Sequence, residues 1–167
     1  MIRNNKLLIA AGAAAFTASL YSATSIAGTI TTTATAEVLQ PLGISQTTQL
    51  DFGDIAADPT NATTVVLTEL GAISSPDGAS ISGTATAGAF NVTGADGANY
   101  SVTLPANGDV TLSGGGSSMN VINFTSGSTG TLTGGSDSLT IGATLELIAN
   151  QPAGTYTGDY TIIVEYQ

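Results

Sequence analysis

The sequence contains no cysteine, histidine or tryptophan, and its only basic residues are Arg3 and Lys6. All twelve carboxylates lie beyond Lys6, so the chain from that point on has a formal charge of −12. These absences exclude nucleic-acid binding, which needs cations to replace phosphate counterions, and they leave nothing to attract anionic lipid. The usual bases, thiolate nucleophiles and Schiff-base amines are also missing. We therefore predict that the protein is not an enzyme and binds no cofactor.

Residues 1–27 have the pattern of a secretory signal peptide. Arg3 and Lys6 precede an apolar, alanine-rich stretch over residues 7–20, and Ser25-Ile26-Ala27 supplies small residues for a cleavage site. The stretch is about 14 residues long, whereas a membrane-spanning helix needs roughly 20. We expect cleavage after Ala27 and export without membrane insertion. An amphipathic N-terminal helix retained in the fold is the alternative.

Residues 28–167 are of ordinary single-domain length. We divide them into an N-terminal extension, residues 28–39, and a β-sandwich domain, residues 40–167. Because the chain has no cysteine, the stability of this exported domain must come from its core, from sheet pairing or from a partner.

Apolar and polar residues alternate with a period of two along most of the chain, and no segment has the pattern of a long helix. Turn sequences such as Pro76-Asp77-Gly78, Asn107-Gly108 and Gly134-Gly135 separate the runs. Short strands with turns at close intervals predict an all-β sandwich. The predicted strands are 49–52, 64–67, 79–87, 89–93, 99–104, 109–113, 119–125, 138–147 and 155–167. Residues 114–118, rich in glycine and serine, are either a turn or a flexible linker.

Three carboxylates, Asp51, Asp54 and Asp58, fall within eight residues and are weak candidates for a Ca²⁺ site. No segment has the acidic spacing of a twelve-residue calcium loop. We therefore predict no metal site and interpret these residues as turn formers.

Both ends of the segment 28–167 have one-sided strand patterns. Near the C-terminal end the larger side chains fall on one face of a strand. Residues 28–39, about 36 Å long when extended at roughly 3.3 Å per residue, have a narrow face of small side chains. This arm either pairs within its own domain or with another molecule. The C-terminal set is Gly154, Tyr156, Tyr160, Ile162, Val164 and Tyr166, and the arm set is Ile30, Thr32, Ala34, Ala36 and Val38.

Two of these features resemble known families. Gly154, fourteenth from the C-terminal end, and the penultimate Tyr166 resemble the C-terminal signature of chaperone-usher pilins, and residues 30–36 resemble the donor arm of the cysteine-free pilins among them, the fimbrial major subunits. Through residues 39–42, 50–53 and 151–158, the chain resembles a proteobacterial family of secreted domains, domain of unknown function 4402.

The pilin resemblance implies an immunoglobulin-like β-sandwich that lacks its last strand and accepts the arm of the next copy. It further implies a periplasmic chaperone and an outer-membrane usher as partners, and a cell-surface filament, or fimbrium, reached through the periplasm and used in cell adhesion. Many pilin arms have glycine at an inward position, where this chain has Ala34 or Ala36. The alternative function is a self-contained exported β-sandwich that binds Ca²⁺ or glycan, with its arm folded in cis.

Overall fold

The computed structural model describes residues 27–167, so the predicted signal peptide lies outside the described residues except for Ala27. The described part of the chain consists of strands and connecting loops, with no helix. It accordingly has no helix suited to crossing a membrane. The strands are β1 Gly43–Thr48, β2 Asp54–Ala56, β3 Thr63–Leu67, β4 Ile73–Ser74, β5 Ser80–Ser82, β6 Gly88–Thr93, β7 Tyr100–Thr103, β8 Val110–Gly114, β9 Ser117–Gly127, β10 Ser136–Leu147 and β11 Ile163–Tyr166.

The long strand β10 organises a seven-stranded antiparallel sheet. Residues 136–141 of β10 pair with β6, and residues 143–147 pair with β3 further along the same edge. Strand β9 pairs with the opposite edge of β10. Strands β1, β4 and β8 extend the sheet beyond β6, β3 and β9, and two further antiparallel pairs, β7 with β11 and β2 with β5, complete the fold.

Two clusters of buried apolar side chains form the core. On β10, Leu139, Ile141 and Leu145 lie on one face and are almost fully buried, and Gly142 and Thr144 on the other face are also buried, so this part of the strand is covered on both faces. Phe124 and Tyr160 are half-buried and contact both clusters. The first cluster contains Phe52, Val65, Leu67, Val110, Met119, Val121, Ala143, Leu145 and Leu147, and the second contains Val92, Tyr100, Leu132, Leu139 and Ile141.

Gly142 lies on β10 between the segments that pair with β6 and with β3, where neighbouring backbone approaches closely. A Cβ atom at this position would lie 2.5 Å from the carbonyl oxygen of Leu67 and from the amide nitrogen of Glu69. Because backbone atoms cannot rotate away, we expect Gly142→Ala to lower the free energy of unfolding by about 3 kcal/mol, at the upper end of overpacking effects. Urea unfolding followed by circular dichroism measures this loss. Gly28→Ala is the control, since a Cβ there meets nothing within 4 Å, and equal stability of the two variants would contradict the expectation.

The all-β prediction is confirmed, and strands predicted at 64–67, 89–93, 119–125 and 138–147 are present with small shifts of their ends. The linker interpretation of residues 114–118 is wrong. Gly115 and Gly116 have φ angles of 55° and 81° and form a two-residue turn that joins β8 to β9, a conformation in which both central residues require positive φ.

The two ends of the segment 28–167 contain less strand than their patterns predict. Only Ile163–Tyr166 is a strand within the predicted 155–167, and residues 27–42 are in no strand. Residues 27–41 are exposed, with Ile30 at 91% and Val38 at 93%. A segment with an alternating pattern forms a strand only where a second strand provides hydrogen-bond partners for its backbone N–H and C=O groups. All the strands lie within Glu37–Gln167, which forms one compact unit.

Candidate functional site

A groove of 290 Å³ lies between β1 and the segment that leads into β11. β1 contributes Ile44 and Gln46, which share one face of the strand, and β6 contributes Phe90. The other side of the groove is formed by residues just before β11. The lining residues are Ile44, Gln46, Gln49, Phe90, Gly158, Asp159, Tyr160 and Ile162.

The backbone on both sides of the groove has an unpaired edge. β1 is hydrogen-bonded to β6, and β11 is hydrogen-bonded to β7. Within residues 27–167, no strand pairs with the second edge of either β1 or β11. An open strand edge leaves backbone N–H and C=O groups without partners and is a template for adding another strand.

Aromatic side chains form the floor of the groove. The rings of Phe90 and Tyr160 meet edge to face, with centroids 6.5 Å apart and an interplanar angle of 88°. The centroid of the Phe124 ring lies 5.6 Å from that of the Tyr160 ring, with the two planes tilted by 33°. Edge-to-face contacts of this kind stabilise by about 1 kcal/mol beyond the area they bury. The floor is therefore a fixed apolar surface.

The Tyr160 hydroxyl is buried and has no hydrogen-bond partner. It lies over Gly88, where an added Cβ atom would be 2.8 Å from the hydroxyl oxygen. Burial raises the pKa of Tyr160 above 10.0, because the phenolate would lose its hydration. Tyr160 is therefore neutral at physiological pH and belongs to the apolar floor.

The six C-terminal residues singled out by the sequence divide among three places. Tyr160 and Ile162 line the groove, and Val164 and Tyr166 lie on β11, half-buried against the second core cluster. Gly154 and Tyr156 lie elsewhere, against the β8–β9 turn. A Cβ atom on Gly154 would be 2.7 Å from the Cα atom of Gly115.

Side chains alternate along residues 160–166 as the sequence pattern predicts. Half-buried positions alternate with exposed ones, and Thr161, Ile163 and Glu165 face outward. Six groove residues were missed by sequence reasoning, namely Ile44, Gln46, Gln49, Phe90, Gly158 and Asp159. Ile44 and Gln46 belong to the exposed strand β1, which has no strong apolar alternation.

Tyr166, at the end of β11, makes two hydrogen bonds through its hydroxyl. Its hydroxyl donates to the carbonyl oxygen of Gln40 at 2.7 Å and accepts from the amide of Ala95 at 2.7 Å. The neighbouring Gly94 leaves room for the phenol, because a Cβ atom there would collide with the Tyr166 hydroxyl. The end of β11 is thus bonded to the residue at which the arm ends.

Of the three candidate calcium ligands, Asp54 lies on strand β2, and Asp51 and Asp58 have local roles in the loops. Asp51 accepts a hydrogen bond from the amide of Gly53 at 2.9 Å, and Asp58 accepts from the amides of Thr60 and Asn61 at 2.7 and 2.8 Å. Hydrogen bonds from Thr60, followed by those from Asn61, lower the pKa of Asp58. Burial raises this pKa, but by less than the hydrogen bonds lower it. No group of three or more potential metal-binding His, Cys, Asp or Glu residues occurs in residues 27–167.

A further carboxylate supports the fold away from the groove. Burial of Asp137 raises its pKa, but hydrogen bonds from the Tyr100 hydroxyl, from Thr129 and from the Ser138 amide outweigh burial and lower it overall. This carboxylate therefore remains ionised under ordinary conditions and ties β10 to β7.

The fold and groove define an all-β protein of antiparallel sheets with a groove between the open edge of β1 and the segment that leads into β11. The chain belongs to the family described as Domain of unknown function (DUF4402), whose sequence model matches residues 42–166. The matched region contains every strand of the described residues, and residues 28–39 lie outside it. No curated protein and no solved structure is significantly similar to the chain.

Proposed function

We propose that this protein is a structural subunit of a surface filament, in which residues 28–39 of one copy bind in the groove of the next copy. The observation that carries the proposal is a groove with an aromatic floor and walls of mixed apolar and polar side chains. It lies between the open edge of β1 and the segment that leads into β11, whose second edge is also unpaired. A strand added between them would satisfy backbone groups of both edges while alternate side chains enter the groove. Each added copy would bring its own arm, so assembly would continue in one dimension.

The arm has the chemistry that this groove requires. Ile30 and Val38 are almost fully exposed, and burying each would contribute about 1.5 to 3 kcal/mol. Glu37 is the only charged side chain among the arm residues 28–39, so little local repulsion opposes the approach of the arm to a chain of formal charge −12. Its length of about 36 Å exceeds the roughly 26 Å that residues 158–166 would span when extended, at about 3.3 Å per residue.

The finer features of the proposal follow from this mode of assembly. The domain is an immunoglobulin-like sandwich completed by the strand of a neighbour, which compensates for the absence of disulfides. Export would follow cleavage after Ala27, a periplasmic chaperone would cover the groove before assembly, and an outer-membrane usher would guide the arm of the next copy into it. Ile30, Thr32, Ala34, Ala36 and Val38 are the residues that would face the groove.

A second candidate function is a self-contained surface or periplasmic binding module. It is favoured by another cavity, of 430 Å³, between β3, β9 and the end of β10. Polar side chains of Thr64, Asn120 and Glu146 line it beside the apolar Met119 and Leu147. Hydroxyl, amide and carboxylate groups of this kind suit a glycan or a cation.

The mass distribution of the purified protein distinguishes the two functions. A filament subunit is expected to give a series of species at integral multiples of the subunit mass, or fibres, by light scattering and electron microscopy. The binding module is expected to give one compact monomer at every concentration. A monomer that persists at high concentration, even after unfolding and refolding to release any bound chaperone, would count against the filament.

A further inference from the structure

The joint between the arm and β1 raises a problem for assembly. The arm immediately precedes β1 in the chain, so the outer edge of β1 in its own domain is its nearest open edge. Tethering through a few residues gives an effective concentration in the millimolar range for short flexible connections. Without a barrier, the arm would fold back on its own β1 before it met another copy.

The shortest reversal would be a β-turn with Pro41 and Leu42 at its centre. Proline suits the first central position of such a turn, and the turn is closed by a hydrogen bond from the Gly43 amide to the carbonyl oxygen of Gln40. This hairpin would place Glu37 opposite Gln46. It would set the arm residues Ile30 to Val38 on the face of Ser45 rather than that of Ile44, because a register shift of one residue exchanges the faces of a strand. The arm would then cover the edge without filling the groove.

The carbonyl that closes this turn is already bonded. The Tyr166 hydroxyl donates to the Gln40 oxygen at 2.7 Å and is itself held by the Ala95 amide. Leu42, the other central residue, packs against the second core cluster. A turn shifted by one residue is disfavoured, since Pro41 would take the second central position and force Gln40 out of its helical conformation.

We propose that the Tyr166 hydroxyl is a positioning group that holds residues 40–42 in their present path, prevents the arm from folding back on its own β1, and so leaves that edge for the arm of another copy. This inference rests on the proposed function, since it assigns the partner of the groove to a second copy rather than to the same chain. The residue does not contact the incoming arm in this role. It acts through the Gln40 carbonyl.

The absence of cysteine allows a clean test by disulfide formation. In the full chain, Glu37→Cys and Gln46→Cys are introduced together, and the rate of intramolecular disulfide formation at low protein concentration reports how often the arm folds back. Adding Tyr166→Phe is expected to raise this rate about five-fold, the factor that corresponds to one hydrogen bond of ordinary net strength. The same substitution without the cysteines is expected to shorten the assemblies seen by light scattering.

Tyr156→Phe is the matched control, because the Tyr156 hydroxyl also donates to a backbone carbonyl, that of Pro152, at 2.7 Å. It should change neither the disulfide rate nor assembly. A variant with Pro41→Asn and Leu42→Gly retains Tyr166 and places Asn-Gly, a hairpin-forming pair, at the centre of the same turn, which keeps position 37 opposite position 46. It should also raise the disulfide rate, which keeps the test valid if Tyr166→Phe does not fold. An unchanged disulfide rate in the folded Tyr166→Phe variant overturns the inference. A parent chain that never assembles overturns the proposed function instead, whatever the disulfide rates.

Discussion

Removal of residues 28–39 is expected to convert the assembling protein into a single species of monomer mass. The arm supplies the added strand, and without it no copy can complete the groove of another. The folded domain should survive the deletion, because every strand lies beyond residue 42 and residues 27–41 are exposed. Light scattering measures the loss of assembly, and circular dichroism with urea unfolding checks that the domain remains folded.

The deletion also removes exposed apolar surface, so a finer comparison is needed. Replacing both Ile30 and Val38 by serine should abolish or strongly reduce assembly, because these are the large side chains that the groove would bury. Leu70→Ser is the control, since Leu70 is 87% exposed at the β3–β4 turn and lies outside the arm and the groove. If Leu70→Ser reduces assembly as much as the arm variant, general hydrophobic association would explain the loss, and the arm would have no special role.

A carboxylate placed in the groove is expected to weaken arm binding by about 100-fold or more. Ile44 lines the groove and is 39% exposed. In Ile44→Asp the new charge would be covered by the arm, and no Lys, Arg or His exists beyond Lys6 to pair with it. Burying an unpaired charge costs at least about 3 kcal/mol, which corresponds to roughly that factor in the dissociation constant. Titration of a synthetic peptide of residues 28–39 into the arm-deleted chain measures it.

Ile163→Asp provides the matched control for the groove variant. Ile163, the first residue of β11, is 50% exposed and faces outward. The preceding residue, Ile162, lines the groove. Ile163 receives the same change in charge and loses a side chain of the same kind, but it does not line the groove. Equal loss of peptide binding in the two variants would mean that net charge, rather than the groove, governs association.

Local patterns in the sequence predicted most of the longer strands, but not β1, β2 or β4, and they predicted two of the eight residues that line the groove. Alternation along residues 160–166 correctly separates the half-buried Tyr160 and Ile162 from the exposed Ile163, because the period of a strand is a local property. The glycines at 114–116 left a turn and a flexible linker open, and the positive φ angles of Gly115 and Gly116 in the structure show the turn.

The other residues of the groove come together through contacts between distant parts of the chain. Phe90 meets Tyr160 across 70 positions, and Tyr166 bonds to Gln40 across 126. Strand periodicity does not specify which strands become neighbours, so it could not place β1 beside the C-terminal segment. The sequence of β1 also has only a weak strand pattern, because an edge strand with both faces largely exposed needs few apolar residues.

Hydrogen exchange on the arm-deleted chain, with and without the synthetic peptide of residues 28–39, tests the central claim most directly. The amides of β1 and of residues 158–166 that point into the gap should exchange slowly only when the peptide is bound, because the added strand would take them as hydrogen-bond donors. The amides around the cavity between β3, β9 and β10 should be unaffected. Peptide binding that protects only the second cavity, or no protection at saturating peptide, would contradict assembly by strand addition.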